Sequence, residues 1–334
     1  MKTYTCTDAP IEVSGLIQDL LPTHFYRLPL EMIKAVPEPV ARRARHAVGG
    51  RIRFRTDSHS IVIRMALEAN DADWAIPLSG SAGAPVYIGK GASVRYAGIA
   101  CPKDYTEKNA ELAFEKDTAM EDITIFLPRN ETVLSVEIDL DDGARLEAPT
   151  PYAIRAPIVF YGSSITEGGC ASRATNAYTA LLSKWLDADY INLGFSGAAK
   201  GEPILANYIA GLAMSAFVYD YDHNAPSVEH LRDTHEPFFK IIRAKHPALP
   251  ILIMTRPDYD QDPADAAARR AVIEQTYKNA LAAGDTHVAF ADGEAYFGPA
   301  DREACTIEGC HPNDVGFMRM ATAVYPVLQQ LMGQ

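Results

Sequence analysis

The chain has no apolar run approaching the ~18 residues needed to span a bilayer. Its first residues, Met1-Lys2-Thr3-Tyr4-Thr5-Cys6-Thr7-Asp8, lack the apolar core of a signal peptide. It reads as a cytoplasmic protein. Basic residues are also short, with 31 Lys and Arg against 43 Asp and Glu, a formal net charge of -12. A nucleic-acid binder needs a basic face to displace counterions from phosphates, and an anionic membrane repels an acidic surface. Neither partner is expected. Cysteine is sparse: Cys6, Cys101, Cys170, Cys305 and Cys310 are odd in number, widely spaced and without a C-x-x-C pair. That pattern excludes a zinc knuckle and predicts reduced thiols.

What is present is a globular composition, 48% hydrophobic and 22% charged over 334 residues, a length that suits two domains. The first part reads as β-rich. Ile52 and Phe54 alternate with arginines, Thr56-Asp57-Ser58 supplies turn residues, and Ile61, Ile63, Met65 and Leu67 resume the period of two. This predicts a hairpin with one wet face. Further strands are expected at 85–88, 94–99, 123–127 and 133–140, set apart by Gly, Asn and Asp turns, which suggests a β-sandwich. After Ala148-Pro149-Thr150-Pro151 the pattern changes. Apolar strands at 158–161, 190–194, 216–221, 251–255 and 288–291 alternate with helical stretches, ending in a helix at 316–331. Alternation of this kind marks βαβ units and a parallel sheet. The expected domains are 1–150 and 151–334.

Chemistry gathers at the strand ends of the second domain. The first strand ends in Gly162-Ser163-Ser164-Ile165-Thr166 and the second in Asn192-Leu193-Gly194-Phe195-Ser196-Gly197. The third ends in Asp220-Tyr221-Asp222-His223-Asn224, and Glu308-Gly309-Cys310-His311-Pro312-Asn313-Asp314 precedes the last helix. Right-handed crossovers bring such segments to one rim of the sheet, where ligands bind. A serine, a glycine amide, an asparagine amide and a histidine beside a carboxylate supply the parts for acyl transfer. The near misses exclude other chemistry. Residues 83–90 are one too long for a P-loop, with Gly91 where Ser or Thr is needed, and no G-x-G-x-x-G follows the first parallel strand. Gly194-Phe195-Ser196-Gly197 is not G-x-S-x-G. No cofactor is expected.

These four blocks, in this order within a domain of about 180 residues, resemble the SGNH (GDSL-type) hydrolase superfamily of esterases and acyltransferases. The preceding β-domain and Gly168-Gly169-Cys170-Ala171-Ser172-Arg173 resemble its branch with an N-terminal sandwich. The resemblance implies a flavodoxin-like, doubly wound α/β fold with a five-stranded parallel sheet, preceded by a jelly-roll-like all-β sandwich. It implies Ser164 as nucleophile, His311 as base, and an oxyanion hole from the N–H groups of Ser164 and Gly197 and the side-chain amide of Asn224. The acid of the family lies three residues before the histidine, which here is Glu308.

Three departures from the family pattern stand out. Ser163 occupies the place of the usual Asp, the third block is not Gly-x-Asn-Asp, and Glu308 replaces an Asp. Glu308 must fold back to reach His311, which leaves Asp292, at the end of the fifth strand, as the alternative acid. Pro226-Ser227 looks like a helix start, so Asn224 has a capping role open to it. Asp222 and His223 are expected to shape the pocket, and Arg173 to reach an acyl acceptor or a surface carboxylate. With no second histidine at helical spacing, no metal site is expected around Asp220, Asp222 and His223. The expected activity is a serine esterase acting on a small acyl ester, acetyl above all, of a carbohydrate or other polar alcohol. The alternatives are an acyltransferase with the same acyl-enzyme, or a binding module whose catalytic core has decayed.

Overall fold

The structure is a computed structural model and describes residues 1–333. It divides into two units. The first comprises Met1–Ala35, Ala41–Ala153 and Ala171–Thr175; the second takes in Val36–Val40, Ile154–Cys170 and the chain from Asn176 on. The single change of domain expected at residue 150 is thus a main crossing at Ala153, with two short segments sorted to the other unit.

The first unit carries β1 (Lys2–Thr5), β2 (Glu12–Ser14), β3 (Arg51–Thr56), β4 (Ser60–Leu67), β5 (Ala84–Ile88), β6 (Arg95–Ala100), β7 (Asn109–Glu115), β8 (Glu121–Phe126), β9 (Val133–Leu140) and β10 (Leu146–Glu147). Short helices interrupt them, α1 (Leu30–Ala35), the latter part of α2 (Glu38–Ala44), whose start belongs to the second unit, and α3 (Leu78–Ser81). One antiparallel sheet has the order β1-β9-β4-β7; the other runs β10-β3-β8-β5-β6, with β2 also on β3. Ile61, Ile63 and Ile138 of the first sheet share one buried core with Ile52, Phe54, Ile123 and Ile125 of the second. Two apolar faces closed on each other make the sandwich.

The expected hairpin of β3 and β4 is corrected: the two strands lie in different sheets. Both send every second residue into the same core, so the connection crosses between sheets rather than folding back within one. The Asp141 carboxylate fixes that crossing by accepting from the backbone N–H groups of His59 (2.9 Å) and Ser60 (2.8 Å). Nor is the arginine face of β3 wet. Arg51 and Arg53 are buried and donate to the carbonyls of Gly49 and Thr150.

The second unit holds five parallel strands, β11 (Ile154–Gly162), β12 (Ala188–Gly194), β13 (Ala216–Asp220), β14 (Ile251–Met254) and β15 (Val288–Ala291). Their order is β12-β11-β13-β14-β15, the flavodoxin-like arrangement in which the chain reverses its direction of travel between β11 and β13. The strands are near-continuous apolar runs because helices cover the sheet. These are α4 (Ser164–Glu167), α5 (Tyr178–Leu186), α6 (Pro203–Ala210), α7 (Val228–Lys245), α8 (Pro263–Ala282) and α9 (Asp314–Leu331). No helix among the described residues is long and apolar enough to cross a membrane.

Register decides where the site forms. Gly162, the last residue of β11, pairs with Gly194 of β12 on one side and Asp220 of β13 on the other. Three strands therefore end level and release the first three chemical blocks side by side.

Candidate active site

Ser164 is presented by a very tight strand-to-helix turn. Ser163 is extended (φ -93°, ψ -162°) and its hydroxyl accepts from the Ile165 N–H at 3.1 Å, the N-cap of α4. Asp and Ser cap helices equally well, so the departure at Ser163 preserves the cap. As the first helical residue, Ser164 has no intrahelical acceptor for its own N–H. The helix turns back so closely that a Cβ on Gly162 would collide with the Asp220 carbonyl and the Thr166 hydroxyl. Both flanking strands fasten α4. Buried Asn192 donates to Thr166 O at 2.7 Å and accepts from the Gly194 N–H at 2.9 Å. From β13, buried Asp220 accepts from Thr166 Oγ1 (2.7 Å) and Tyr178 OH (2.8 Å). Burial raises the Asp220 carboxyl to about 7.

His311 comes from the loop before α9. Ile307 N–H donates to His311 O (3.0 Å) and Gly309 N–H to Thr306 Oγ1 (3.1 Å), with Gly309 at φ +89°, so the segment doubles back on itself. Asn313 then caps α9 by accepting from Val315 and Gly316. In this loop Glu308 Oε1 lies 2.5 Å from His311 Nδ1 and also accepts the His311 backbone N–H at 3.0 Å. On the other side of the ring, His311 Nε2 is 2.8 Å from Ser164 Oγ. The structure thus brings Ser164, His311 and Glu308 into one hydrogen-bonded line.

Phe195 O joins the second and third blocks. It accepts from Ala198 N–H (2.9 Å), Ala199 N–H (3.1 Å) and Asn224 Nδ2 (2.9 Å). Gly197 sits inside that turn at φ +66°, a left-handed conformation that glycine adopts without strain. Asn224 spends one amide hydrogen on Phe195 O and keeps the second. It does not cap α7, whose N-cap is Ser227.

Next to this line stands a second charged group. His223 Nε2 lies 3.0 Å from Asp258 Oδ2 and 3.2 Å from Cys310 Sγ, and its ring stacks on His311 with centroids 6.5 Å apart. Burial pulls the His223 pKa down, but the bonds to Asp258 and Cys310 outweigh it and raise it to about 10. Cys310 is the largest of the influences that raise His311, with Glu308 adding to it against burial. Burial pushes Cys310 itself up, and the two histidines more than offset this, leaving it below the usual thiol value. Asp222 is buried, its carboxyl raised by desolvation, and accepts the Arg256 N–H at 2.9 Å.

Two comparisons with protein families match this chain. Residues 155–329 match the GDSL-like lipase/acylhydrolase family, and residues 1–146 match the N-terminal domain of SGNH-type esterases. The chain belongs to the GDSL-like lipase/acylhydrolase family. It is a carboxylic-ester hydrolase of SGNH type with the fold expected of one. No curated protein matches it. Among solved structures, the hydrolase is similar to a protein described as a GDSL-like lipase from Bacteroides ovatus, with a TM-score of 0.88 and 24% identity. That match covers 99% of this chain and 98% of the other. A salicylyl-acyltransferase from a tetracycline biosynthetic pathway follows at 0.80 and 22%, covering 99% and 97%. An acetyl xylan esterase from Butyrivibrio proteoclasticus is similar over 100% of both chains, at 0.60 and 12%. At these identities the structures speak to the fold.

The remaining candidates fall elsewhere in the hydrolase. Asp292 pairs with Arg270 and caps the 3₁₀ turn Gly293–Ala295 by accepting from Glu294 N–H, so it is not brought to His311. Arg173 falls in the first unit, where its guanidinium lies 4.5 Å from the Tyr96 ring centre. Among the described residues, two donor clusters have metal-ligand spacing, Cys170–Glu308–His311 and His223–Asp258–Cys310. In the first, Glu308 and His311 are bonded to each other; in the second, Arg256 holds both Asp258 oxygens at 2.8 and 2.6 Å. Asp258, Arg256 and Arg269 escaped the sequence reading because they follow β14 or lie on α8, outside all four blocks.

Proposed function

We propose that the hydrolase is a serine esterase working through an acyl-enzyme on Ser164, with His311 as general base and Glu308 as its orienting acid. The observation that carries this is the line Ser164 Oγ to His311 Nε2 (2.8 Å) and His311 Nδ1 to Glu308 Oε1 (2.5 Å). A serine hydroxyl is nearly inert until a base takes its proton during attack. Ser164 Oγ adds to the ester carbonyl as its proton passes to His311 Nε2. Glu308, on the far nitrogen, holds the tautomer and stabilises the imidazolium. The N–H groups of Ser164 and Gly197 and the second amide hydrogen of Asn224 receive the oxyanion. Each such donor contributes about 3 kcal/mol to the transition state. The intermediate collapses as the imidazolium returns the proton to the leaving alcohol. Water, deprotonated by the same histidine, then releases the acid and regenerates Ser164.

The substrate class we infer is a small acyl ester, acetyl first, of a carbohydrate or other polar alcohol. Supporting it, the structures similar along most or all of the chain include an acetyl xylan esterase and a family two carbohydrate esterase from Clostridium thermocellum. The test is hydrolysis of short-chain p-nitrophenyl esters and acetylated sugars by wild type and Ser164→Ala, with fluorophosphonate labelling of Ser164. Loss of activity in the variant and stoichiometric labelling are expected; a wild-type rate in Ser164→Ala overturns the reading. Alcohol acceptors included in the assay separate hydrolysis, which yields only free acid, from transfer.

A further inference from the structure

We propose that Arg269 is the positioning residue of the Asn224 amide, a proposal that rests on the reading of Asn224 as an oxyanion donor. Asn224 lies in a turn outside any helix or strand. The turn is closed by Ala225 N–H donating to Asp222 O at 3.1 Å. Arg269, on α8 and 7% exposed, reaches across 44 residues and more of chain to it. Its Nη1 donates to the two carbonyls that bracket His223 and Asn224, Asp222 O at 3.1 Å and Ala225 O at 3.0 Å. Its Nε is fixed by Asp265 Oδ2 at 2.6 Å, and Arg256 Nη1 holds the same oxygen at 3.1 Å. Arg256 N–H in turn grips the Asp222 carboxylate.

The consequence follows from leverage. The Asn224 side chain has a single anchor, the bond to Phe195 O, and one bond leaves its plane free to swing about that hydrogen. Fixing the backbone on both sides removes that freedom and aims the second amide hydrogen. A donor gains full effect only when it is pointed at the developing charge before the reaction starts. The guanidinium suits the task because its planar fork serves two carbonyls and a carboxylate at once, whereas an ammonium is a point charge on a flexible stem.

The experiment is a double-mutant cycle of Arg269→Lys with Asn224→Ala, measured as kcat and KM on p-nitrophenyl acetate with thermal midpoints alongside. Arg269→Lys alone is expected to lower kcat by about 10-fold or more with KM changed less than about twofold. In the Asn224→Ala background the same change should alter kcat by less than about twofold, because the group it positions is gone. The thermal shift from Arg269→Lys should be equal in both backgrounds, whereas a merely structural effect would lower kcat equally in both. If Asn224→Ala keeps the wild-type kcat, the oxyanion reading itself fails. If Asn224→Ala is slow but the loss from Arg269→Lys persists in full on top of it, or Arg269→Lys keeps the wild-type kcat, the positioning role fails while the oxyanion reading stands. Asp265→Asn, which loosens Arg269 at Nε together with the Arg256 contact on the same oxygen while leaving the two carbonyl bonds from Arg269 Nη1, supplies the same cycle should Arg269→Lys not fold.

Discussion

A single oxygen, Glu308 Oε1, accepts both from the backbone N–H of His311 and from its ring Nδ1. The second oxygen, Oε2, is buried without a hydrogen-bond partner among the described residues. The extra methylene of Glu relative to Asp is absorbed by this fold-back, which ties the carboxylate to both the backbone and the ring of His311. Glu308→Gln should leave the protein folded yet lower kcat by on the order of 10³- to 10⁴-fold, since an amide no longer holds the productive tautomer. Asp292→Asn, which loosens only the contact with Arg270, should keep kcat within about twofold. Steady-state kinetics on an aryl acetate decides between them.

The pH profile should carry the mark of Cys310. With His311 as the proposed base, only its neutral form takes the Ser164 proton, so activity should rise with pH through the His311 pKa, which is raised from 6.5 with Cys310 as the largest cause. A sulfur acceptor favours the imidazolium, and removing it favours the neutral base. Cys310→Ala should therefore shift the acidic limb of kcat/KM to lower pH. A limb that moves up or stays in place would contradict this account.

Legibility in the sequence followed locality. The parallel strands were readable because each is a short apolar run closed by turn residues, and the four blocks because each lies within a few residues of a strand or helix end. β1, β2 and β7 were not: β7 sets Ala110, Leu112 and Phe114 against Asn109, Glu111, Ala113 and Glu115, and with an alanine on each face its period of two is weak. The β3–β4 connection was misread because period-two patterning says which face is apolar, not which sheet the strand joins. The Arg256, Asp258 and Arg269 network was out of reach for a different cause. Its partners in the third block are 33 to 47 residues away in sequence, and only the fold brings them together.

Gly197 tests whether conformation or space sets its identity. A Cβ there would meet nothing within 4 Å, but the residue stands at φ +66°. Gly197→Ala should thus cost stability by about 1–2 kcal/mol through backbone strain alone. Because the strain relaxes by rotating the N–H that we propose as an oxyanion donor, kcat should fall more than KM rises. Calorimetry and kinetics on the same preparation measure both effects.

Asp220 makes a prediction of opposite sign to that of an ordinary carboxylate. Its folded pKa of about 7 stands above the ordinary aspartate value of 3.8, so between these two pH values the folded chain holds a proton that the unfolded chain has lost. The associated stability is fully present below the unfolded pKa and declines as pH rises toward the folded one. At full value, a shift of this size corresponds to roughly 4 kcal/mol. Asp220→Asn keeps an oxygen to accept from Thr166 and Tyr178 but cannot ionise. Relative to wild type, the variant should therefore gain stability between pH 4 and 7 and then hold a constant difference. Thermal midpoints of both proteins at pH 4.5, 6 and 7.5 measure this, and a difference that does not grow over that range would place the Asp220 charge elsewhere than in a buried, desolvated site.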